Sequence, residues 1–182
     1  MTLRDALHTA LTFDIFHRHA DKIEMANVAQ TVNCLHSLFA AVGDKYVRTP
    51  AYSTFELYRP HMGAQVVPMS MTLPEMTVPL LDGSGRIPRL SGSASLRDKS
   101  LTVTLTNPSL DEAVATRLRL AGGARLREAR GTVLTHEDMH ATNTFDRPDQ
   151  VSLKPLPVQV SGDTASVTLP KQSVIAVALS LV

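Results

Sequence analysis

The chain has little of what several classes of protein need. Cys34 is its only cysteine, so no disulfide can form within it. Tryptophan is absent and aromatic residues make up 4% of the 182 positions, which disfavours a free-standing carbohydrate-binding module built on exposed rings. The 18 basic and 17 acidic residues nearly cancel, whereas nucleic-acid binding needs a clustered basic patch. We therefore expect no nucleic-acid partner.

Long apolar runs are also missing. No stretch approaches the roughly 20 apolar residues of a membrane-spanning helix. Arg4 and Asp5 place charge where a signal peptide needs its apolar region. With 43% hydrophobic residues the chain can nevertheless bury a core. These features predict a soluble, cytoplasmic protein with no membrane partner.

Helical periodicity is confined to the first third of the chain. Apolar residues recur at helical spacing from Leu3 to Ile15 and predict a helix over residues 2–19, with Thr2 and Asp5 as a weak capping box. A second helix is predicted to begin at Thr49-Pro50 and to end near Pro60. Residues 22–30 fit either a helical stripe or a buried strand, because short apolar runs do not distinguish the two.

After Gly63 the pattern changes to short alternating segments separated by turn residues. The clearest apolar alternations lie in residues 101–105, 114–120 and 175–181. Asn107-Pro108 and Gly122-Gly123 are among the turns between such segments. Short, evenly spaced strands with this turn chemistry predict an antiparallel β-sandwich, with a domain boundary near residues 61–65.

Three segments, in order along the chain, resemble the C-terminal part of the α-L-arabinofuranosidases of glycoside hydrolase family 51. They are residues 17–33 (HRHADKIEMANVAQTVN), residues 48–58 (RTPAYSTFELY), and the stretch from Leu134-Thr135 through residues 140–148 (HATNTFDRP) to Val151. The resemblance implies a mainly β fold. An antiparallel, jelly-roll-like β-sandwich over residues 63–182 would follow the last helix–strand–helix portion of a (β/α)8 barrel over residues 1–62.

The resemblance also implies an activity and one site residue. The family removes terminal non-reducing α-L-arabinofuranosyl groups from arabinan, arabinoxylan and related oligosaccharides, with retention, as part of L-arabinose metabolism. Residues 22–30 become the eighth barrel strand, and Gln30 lies at its C-terminal end, where such barrels build their active sites. The matching glutamine of the family contacts the arabinose ring, so Gln30 is a candidate substrate-binding residue. Bacterial members are often cytoplasmic oligomers, and we expect no cofactor and no metal ion.

The catalytic carboxylates of the family have no counterpart here. Retaining glycosidases use two carboxyl groups about 5–5.5 Å apart. In the family both glutamates lie on barrel strands before the segment at which this chain starts. Asp14, Glu24 and Glu56 stand in contexts typical of helix surfaces or packing positions. The sequence thus predicts no catalytic residue, and no activity from this chain alone.

Three interpretations stay open at this point. The chain is the C-terminal portion of an arabinofuranosidase, from a truncated gene or an incomplete gene model. Alternatively it is an accessory structural or sugar-binding sandwich, or one half of a split enzyme whose partner chain supplies the barrel; a homo-oligomer is a further partner to consider. Leu7, Leu11, Ile15 and Val28 remain apolar. They predict an uncovered apolar patch, which disfavours the accessory module.

Residues 136–140 (HEDMH) fit the H-E-x-x-H motif of zinc peptidases, with Asp146 as a third ligand. The motif needs a helix, yet residues 131–135 are strand-like. Asn143 stands where the extended pattern expects glycine, and no methionine follows Met139 to form the later turn. A loop is therefore the better interpretation.

Two other candidates also have plain interpretations. His17 and His19 are two positions apart and do not share a helical face. They are typical of a helix C-terminus, where cationic side chains interact favourably with the helix dipole. Cys34 has no paired histidine motif and is predicted to be a buried or half-buried spectator.

Overall fold

The computed structural model describes residues 1–28, 30–73 and 75–182. The helices are α1 (Leu3–Arg18), α2 (Pro50–Tyr58) and a 3-10 turn over Arg59–His61. The strands are β1 (Phe39–Val42), β2 (Lys45–Arg48), β3 (Gln65–Val66), β4 (Glu75–Leu80), β5 (Gly83–Pro88), β6 (Ser91–Arg97), β7 (Ser100–Asn107), β8 (Val114–Arg119), β9 (Leu126–Thr135), β10 (Leu153–Leu156), β11 (Gln159–Ser161), β12 (Thr164–Leu169) and β13 (Ser173–Leu181). Within the described residues, neither α1 nor α2 has the length and apolar character to cross a lipid bilayer.

A six-stranded antiparallel sheet lies at the centre of the fold. Its strand order is β10-β9-β13-β7-β6-β3. A second sheet, of order β11-β12-β8, packs on one face of it, and α1 and α2 pack on the other. The pairs β1–β2 and β4–β5 form separate hairpins. The mainly β, antiparallel fold predicted from the sequence is confirmed.

Strand β13 shows how alternation distributes side chains between the two cores. Successive residues of a strand point to opposite faces. Ile175 and Val177 therefore enter the core between the sheets, whereas Val174 enters the core beneath the helices. All three side chains are fully buried. Strand β13 therefore contributes side chains to both cores.

Helix α1 follows its sequence signals closely. The backbone N–H of Thr2 donates to the Asp5 carboxylate at 2.8 Å, so the predicted capping box is present. Leu3, Ala6, Leu7 and Ala10 form the buried stripe that helical spacing predicts. The helix ends at Arg18, as the His17-Arg18-His19 run indicated.

The strand that the family resemblance implies over residues 22–30 is not formed in the described part of that segment. Residues 22–28 and 30 are turn or irregular, and Ala29 lies outside the described residues. A strand is stable only when its backbone N–H and C=O groups pair with neighbouring strands. Among the described residues, no strand pairs with this segment. Met25, in the middle of it, is accordingly 77% exposed.

Helices α1 and α2, which we call the helical layer, share one of the two cores with the central sheet. Leu3 of α1 and Leu57 of α2 pack in one cluster with Leu134 of β9 and Val174 of β13. A division between residues 1–62 and 63–182 stays a prediction about the organisation of the chain. The packing indicates that the two parts stabilise each other.

Replacing Val174 by alanine tests this shared core. We expect the free energy of unfolding to fall by about 2 kcal/mol, because a fully buried valine loses contacts on the helical side of β13. Tyrosine fluorescence reports only on Tyr46, Tyr52 and Tyr58, which all precede residue 62, while far-UV circular dichroism reports on the helices and strands of the whole chain. The two signals should shift together in one transition. Separate transitions would contradict a shared core.

Candidate functional site

Gln30 lies at the end of the irregular segment that follows α1. Its side chain is exposed. The structure therefore leaves the amide of Gln30 free of burial and accessible to a sugar hydroxyl. Its role as a sugar contact stays a prediction.

The residues after Gln30 are held by the β1–β2 hairpin. The carbonyl oxygen of Thr31 accepts hydrogen bonds from the backbone N–H groups of Leu38 and Phe39, each at 3.0 Å. The side chain of Asn33 pairs with Ala41, accepting from its N–H at 2.7 Å and donating to its C=O at 2.8 Å. Gln30 is thus attached directly to a hydrogen-bonded frame on its C-terminal side.

The carboxylates of the helical part lie in structural positions. Asp14 is fully buried between α1 and the central sheet, where a substrate in solvent has no access to it. Glu24 is exposed on the irregular segment, and Glu56 is half-buried on α2. These surroundings are those of packing and surface residues, as the sequence indicated, and nothing in them assigns a catalytic role.

A buried polar cluster surrounds Asp14. Its Oδ1 accepts hydrogen bonds from the Tyr58 hydroxyl at 2.7 Å and from the Ser93 hydroxyl at 2.8 Å. Its Oδ2 is buried and has no hydrogen-bond partner among the described residues. Burial raises the pKa of the Asp14 carboxyl, although the bonds from Tyr58 and Ser93 oppose the shift. Burial also raises the pKa of Tyr58, and the adjacent Asp14 adds to that shift.

His61 extends the cluster towards β6 and β7. Its Nδ1 lies 2.7 Å from the Ser95 hydroxyl and its Nε2 lies 3.1 Å from the Thr104 hydroxyl. The ring of His17 packs against it, with centroids 4.8 Å apart. Burial, together with the neighbouring His17, lowers the pKa of His61 to about 4, and burial lowers the pKa of His17. The sequence gives no signal for this cluster, because its partners are separated by up to 79 positions and share no local motif.

The H-E-x-x-H segment is a loop, as predicted. It follows the end of β9, and none of its residues is helical. Its backbone instead caps α1: the carbonyl oxygens of Met139 and Ala141 accept hydrogen bonds from Arg4 N–H and Leu3 N–H, each at 3.0 Å. These are helix N–H groups that no intrahelical acceptor can satisfy. The loop therefore joins the sandwich to the helical layer.

An apolar groove of about 620 Å³ lies beside the segment that leads to Gln30. Phe13 and Phe16 of α1, Phe55 of α2 and Met25 are among its lining residues. The apolar patch predicted for the helical part is present only in part. Ile15 is 47% exposed, as expected, but Leu7 is 4% exposed because it packs on the central sheet. Cys34 is half-buried and free, as the sequence indicated.

Comparison with known sequences identifies close relatives. Residues 1–173 match the family model of the α-L-arabinofuranosidase C-terminal domain. The intracellular exo-α-L-arabinofuranosidase of Bacteroides ovatus is 34% identical over 182 residues, which cover 98% of this chain and 34% of that protein. The intracellular exo-α-(1→5)-L-arabinofuranosidase 1 of Bacillus subtilis is 28% identical over 152 residues, 81% of this chain and 29% of that protein.

Solved structures of arabinofuranosidases also match this chain. The crystal structure of the GH51 arabinofuranosidase from Xanthomonas axonopodis pv. citri superposes with a TM-score of 0.91 at 34% identity, over 98% of this chain and 36% of that one. The chain therefore spans about a third of the length of the relatives that it matches. With residues 1–173 inside the family model and a GH51 structure superposing over nearly all of it, the chain belongs to the family of C-terminal domains of GH51 α-L-arabinofuranosidases.

Proposed function

We propose that this chain is the non-catalytic C-terminal third of a retaining α-L-arabinofuranosidase. The complete enzyme removes terminal non-reducing α-L-arabinofuranosyl groups from arabinose-containing polysaccharides and oligosaccharides. The chain contributes Gln30 to sugar binding, while both catalytic carboxylates come from a preceding barrel segment. Because the Bacteroides and Bacillus relatives are named intracellular enzymes, we place the activity in the cytoplasm.

The proposal rests on one observation: the match with the relatives takes up nearly all of this chain but only about a third of theirs. The match to the Xanthomonas enzyme covers 98% of this chain but 36% of that enzyme. A retaining mechanism needs an acid/base and a nucleophile on facing sides of the glycosidic bond. A buried Asp14 and the separate Glu24 and Glu56 do not supply such a pair. The remaining part of the enzyme must therefore supply it.

The irregular segment and the apolar groove support the same conclusion. The described residues of the segment 22–30 have no strand partner, Met25 within the segment is exposed, and so is Ile15 of α1. Apolar surface of this kind typically marks an interaction site. An accessory module that works without a barrel gains nothing from keeping this apolar surface exposed. We therefore propose that a catalytic barrel, in the same chain or in a partner chain, covers it.

Activity of the chain alone and in a hybrid tests the proposal. We expect the chain by itself to release no 4-nitrophenol from 4-nitrophenyl α-L-arabinofuranoside above a buffer blank. A hybrid joins this chain to the part of the Xanthomonas enzyme that lies outside the match, and we expect this hybrid to hydrolyse the substrate. The control is the Xanthomonas part without any C-terminal region. Turnover by the chain alone, or a folded hybrid without activity, would refute the proposal.

A further inference from the structure

We propose that Asn143, in the loop that joins the sandwich to the helical layer, is a positioning residue for Gln30. Its side-chain amide holds the β1–β2 hairpin, and the hairpin in turn holds the residues that follow Gln30. The inference rests on the proposed function for the role of Gln30. The tether itself is a property of this chain and can be measured without the barrel.

The amide of Asn143 is fully engaged at the junction of the two layers. Its Nδ2 donates to the carbonyl oxygen of Arg48 and to that of Val151, each at 3.0 Å. Its Oδ1 accepts from the backbone N–H of Val151 at 2.7 Å. Val151 is completely buried in the core beneath the helices. The amide group is thus oriented on a rigid base and reaches across to the last residue of β2.

From Arg48 the connection continues to the residue next to Gln30. Arg48 pairs with Phe39 across the β1–β2 hairpin. Phe39 N–H donates to the carbonyl oxygen of Thr31 at 3.0 Å, and Thr31 directly follows Gln30.

A second set of bonds holds the same end of the hairpin. Thr49, next to Arg48, donates from its hydroxyl to the Ser37 carbonyl and from its N–H to the Leu38 carbonyl, each at 2.9 Å. Asn143 fastens this frame to the loop after β9, and the ring of His36, in the same frame, lies 2.6 Å from the Thr9 hydroxyl of α1. A polar connection in which each group has a partner restricts the orientation of the groups that it joins.

The neighbouring residue Thr142 provides a matched comparison. Its hydroxyl donates to the carbonyl oxygen of Met1, so it fastens the same loop to the N-terminal end of α1 and makes no bond to the hairpin. A variant at Thr142 disturbs the loop without touching the connection to Thr31. The two neighbours therefore separate a specific tether from a general loosening of the loop.

Amide hydrogen exchange on the full chain tests the tether. We expect Asn143→Ala to accelerate exchange at Leu38, Phe39 and Thr49 about fivefold, since the one hydrogen bond from this side chain to the hairpin, of ordinary strength, is lost. Asn143→Asp keeps the acceptor for Val151 N–H but cannot donate to Arg48, so it should accelerate the hairpin amides while leaving Val151 protected. Thr142→Val should leave the hairpin amides unchanged. Equal exchange in Asn143→Ala and the wild type, or equal acceleration in Thr142→Val, would overturn the tether.

A double-mutant cycle in the hybrid enzyme tests the connection to Gln30. If Asn143 acts through Gln30, Asn143→Ala lowers kcat/KM about tenfold in the wild-type hybrid and by less than twofold when Gln30 is already alanine. Thr142→Val should change neither value. Equal effects of Asn143→Ala in both backgrounds would overturn the positioning role. If Gln30→Ala by itself leaves kcat/KM unchanged, the proposed role of Gln30 is refuted. The exchange data would still decide whether Asn143 holds the hairpin.

Discussion

Gln30→Ala is expected to lower kcat/KM of the hybrid enzyme on 4-nitrophenyl α-L-arabinofuranoside about a hundredfold. Hydrogen bonds to the sugar that strengthen as the oxocarbenium-like transition state forms contribute several kcal/mol in glycosidases, and a factor of one hundred corresponds to about 2.7 kcal/mol. The side chain is exposed, so alanine removes no buried contact among the described residues. The loss should therefore occur without a change in thermal stability.

Two further variants sharpen this experiment. Gln30→Glu keeps the shape and one acceptor but loses the donor, so it should also lower kcat/KM, and by less than alanine if only the acceptor is used. Gln65→Ala removes the same amide from the exposed strand β3 and should leave the kinetics unchanged. A hybrid in which Gln30→Ala and Gln65→Ala are equally active would contradict the role of Gln30 in sugar binding.

Acid is expected to destabilise the chain through His61. The folded-state pKa of about 4 lies below the ordinary value of 6.5. The unfolded chain therefore binds a proton between these pH values that the folded protein rejects. The part of the free energy of unfolding that depends on a neutral His61 is fully present above pH 6.5 and is lost as the pH falls towards 4. A shift of this size corresponds to roughly 3 kcal/mol over the window.

His61→Gln removes this titration while keeping hydrogen-bonding groups near Ser95 and Thr104. We expect the variant to lose much less stability between pH 6.5 and 4 than the wild type, measured by urea unfolding at each pH. His17, packed against His61, has a lowered pKa and acts in the same direction. Asp14 acts in the opposite direction, because its raised pKa favours the folded state only where its carboxyl is protonated.

The control for this prediction is His19→Gln. His19 is exposed just beyond α1, and its imidazole has no buried partner to lose. The His19→Gln variant should lose stability between pH 6.5 and 4 to the same extent as the wild type. If His19→Gln and His61→Gln flatten the profile to the same extent, His61 is not the source of the acid sensitivity.

Local signals in the sequence were sufficient for the elements whose stability is mostly local. The stripe from Leu3 to Ala10 and the Thr2–Asp5 capping box predicted α1, and Thr49-Pro50 predicted the start of α2. Alternation predicted strands such as β7 and β13, because each has an apolar face on the same side-chain period as the pleat. Helix caps and periodicity act over a few residues, so they can be read without knowledge of distant partners.

Residues 22–30 show where such reading fails. The pattern fits a helix or a strand, and the family resemblance favoured the strand; a strand also needs backbone partners, and none pairs with this segment among the described residues. The buried positions of Asp14 and His61 were missed for a related reason. Each is polar in sequence, and only the packing of α1 and α2 on β6 and β7 removes it from water.

The sequence by itself determined the family, the two helices and the change to short strands after Gly63, because these depend on local pattern and residue identity. The tertiary structure alone decided that the helical part shares a core with the sandwich, that the loop over residues 136–151 caps α1, and that Asn143 connects the sandwich to the segment of Gln30. Contacts between residues far apart in the chain depend on how faces are paired in space. No spacing along the chain encodes that pairing.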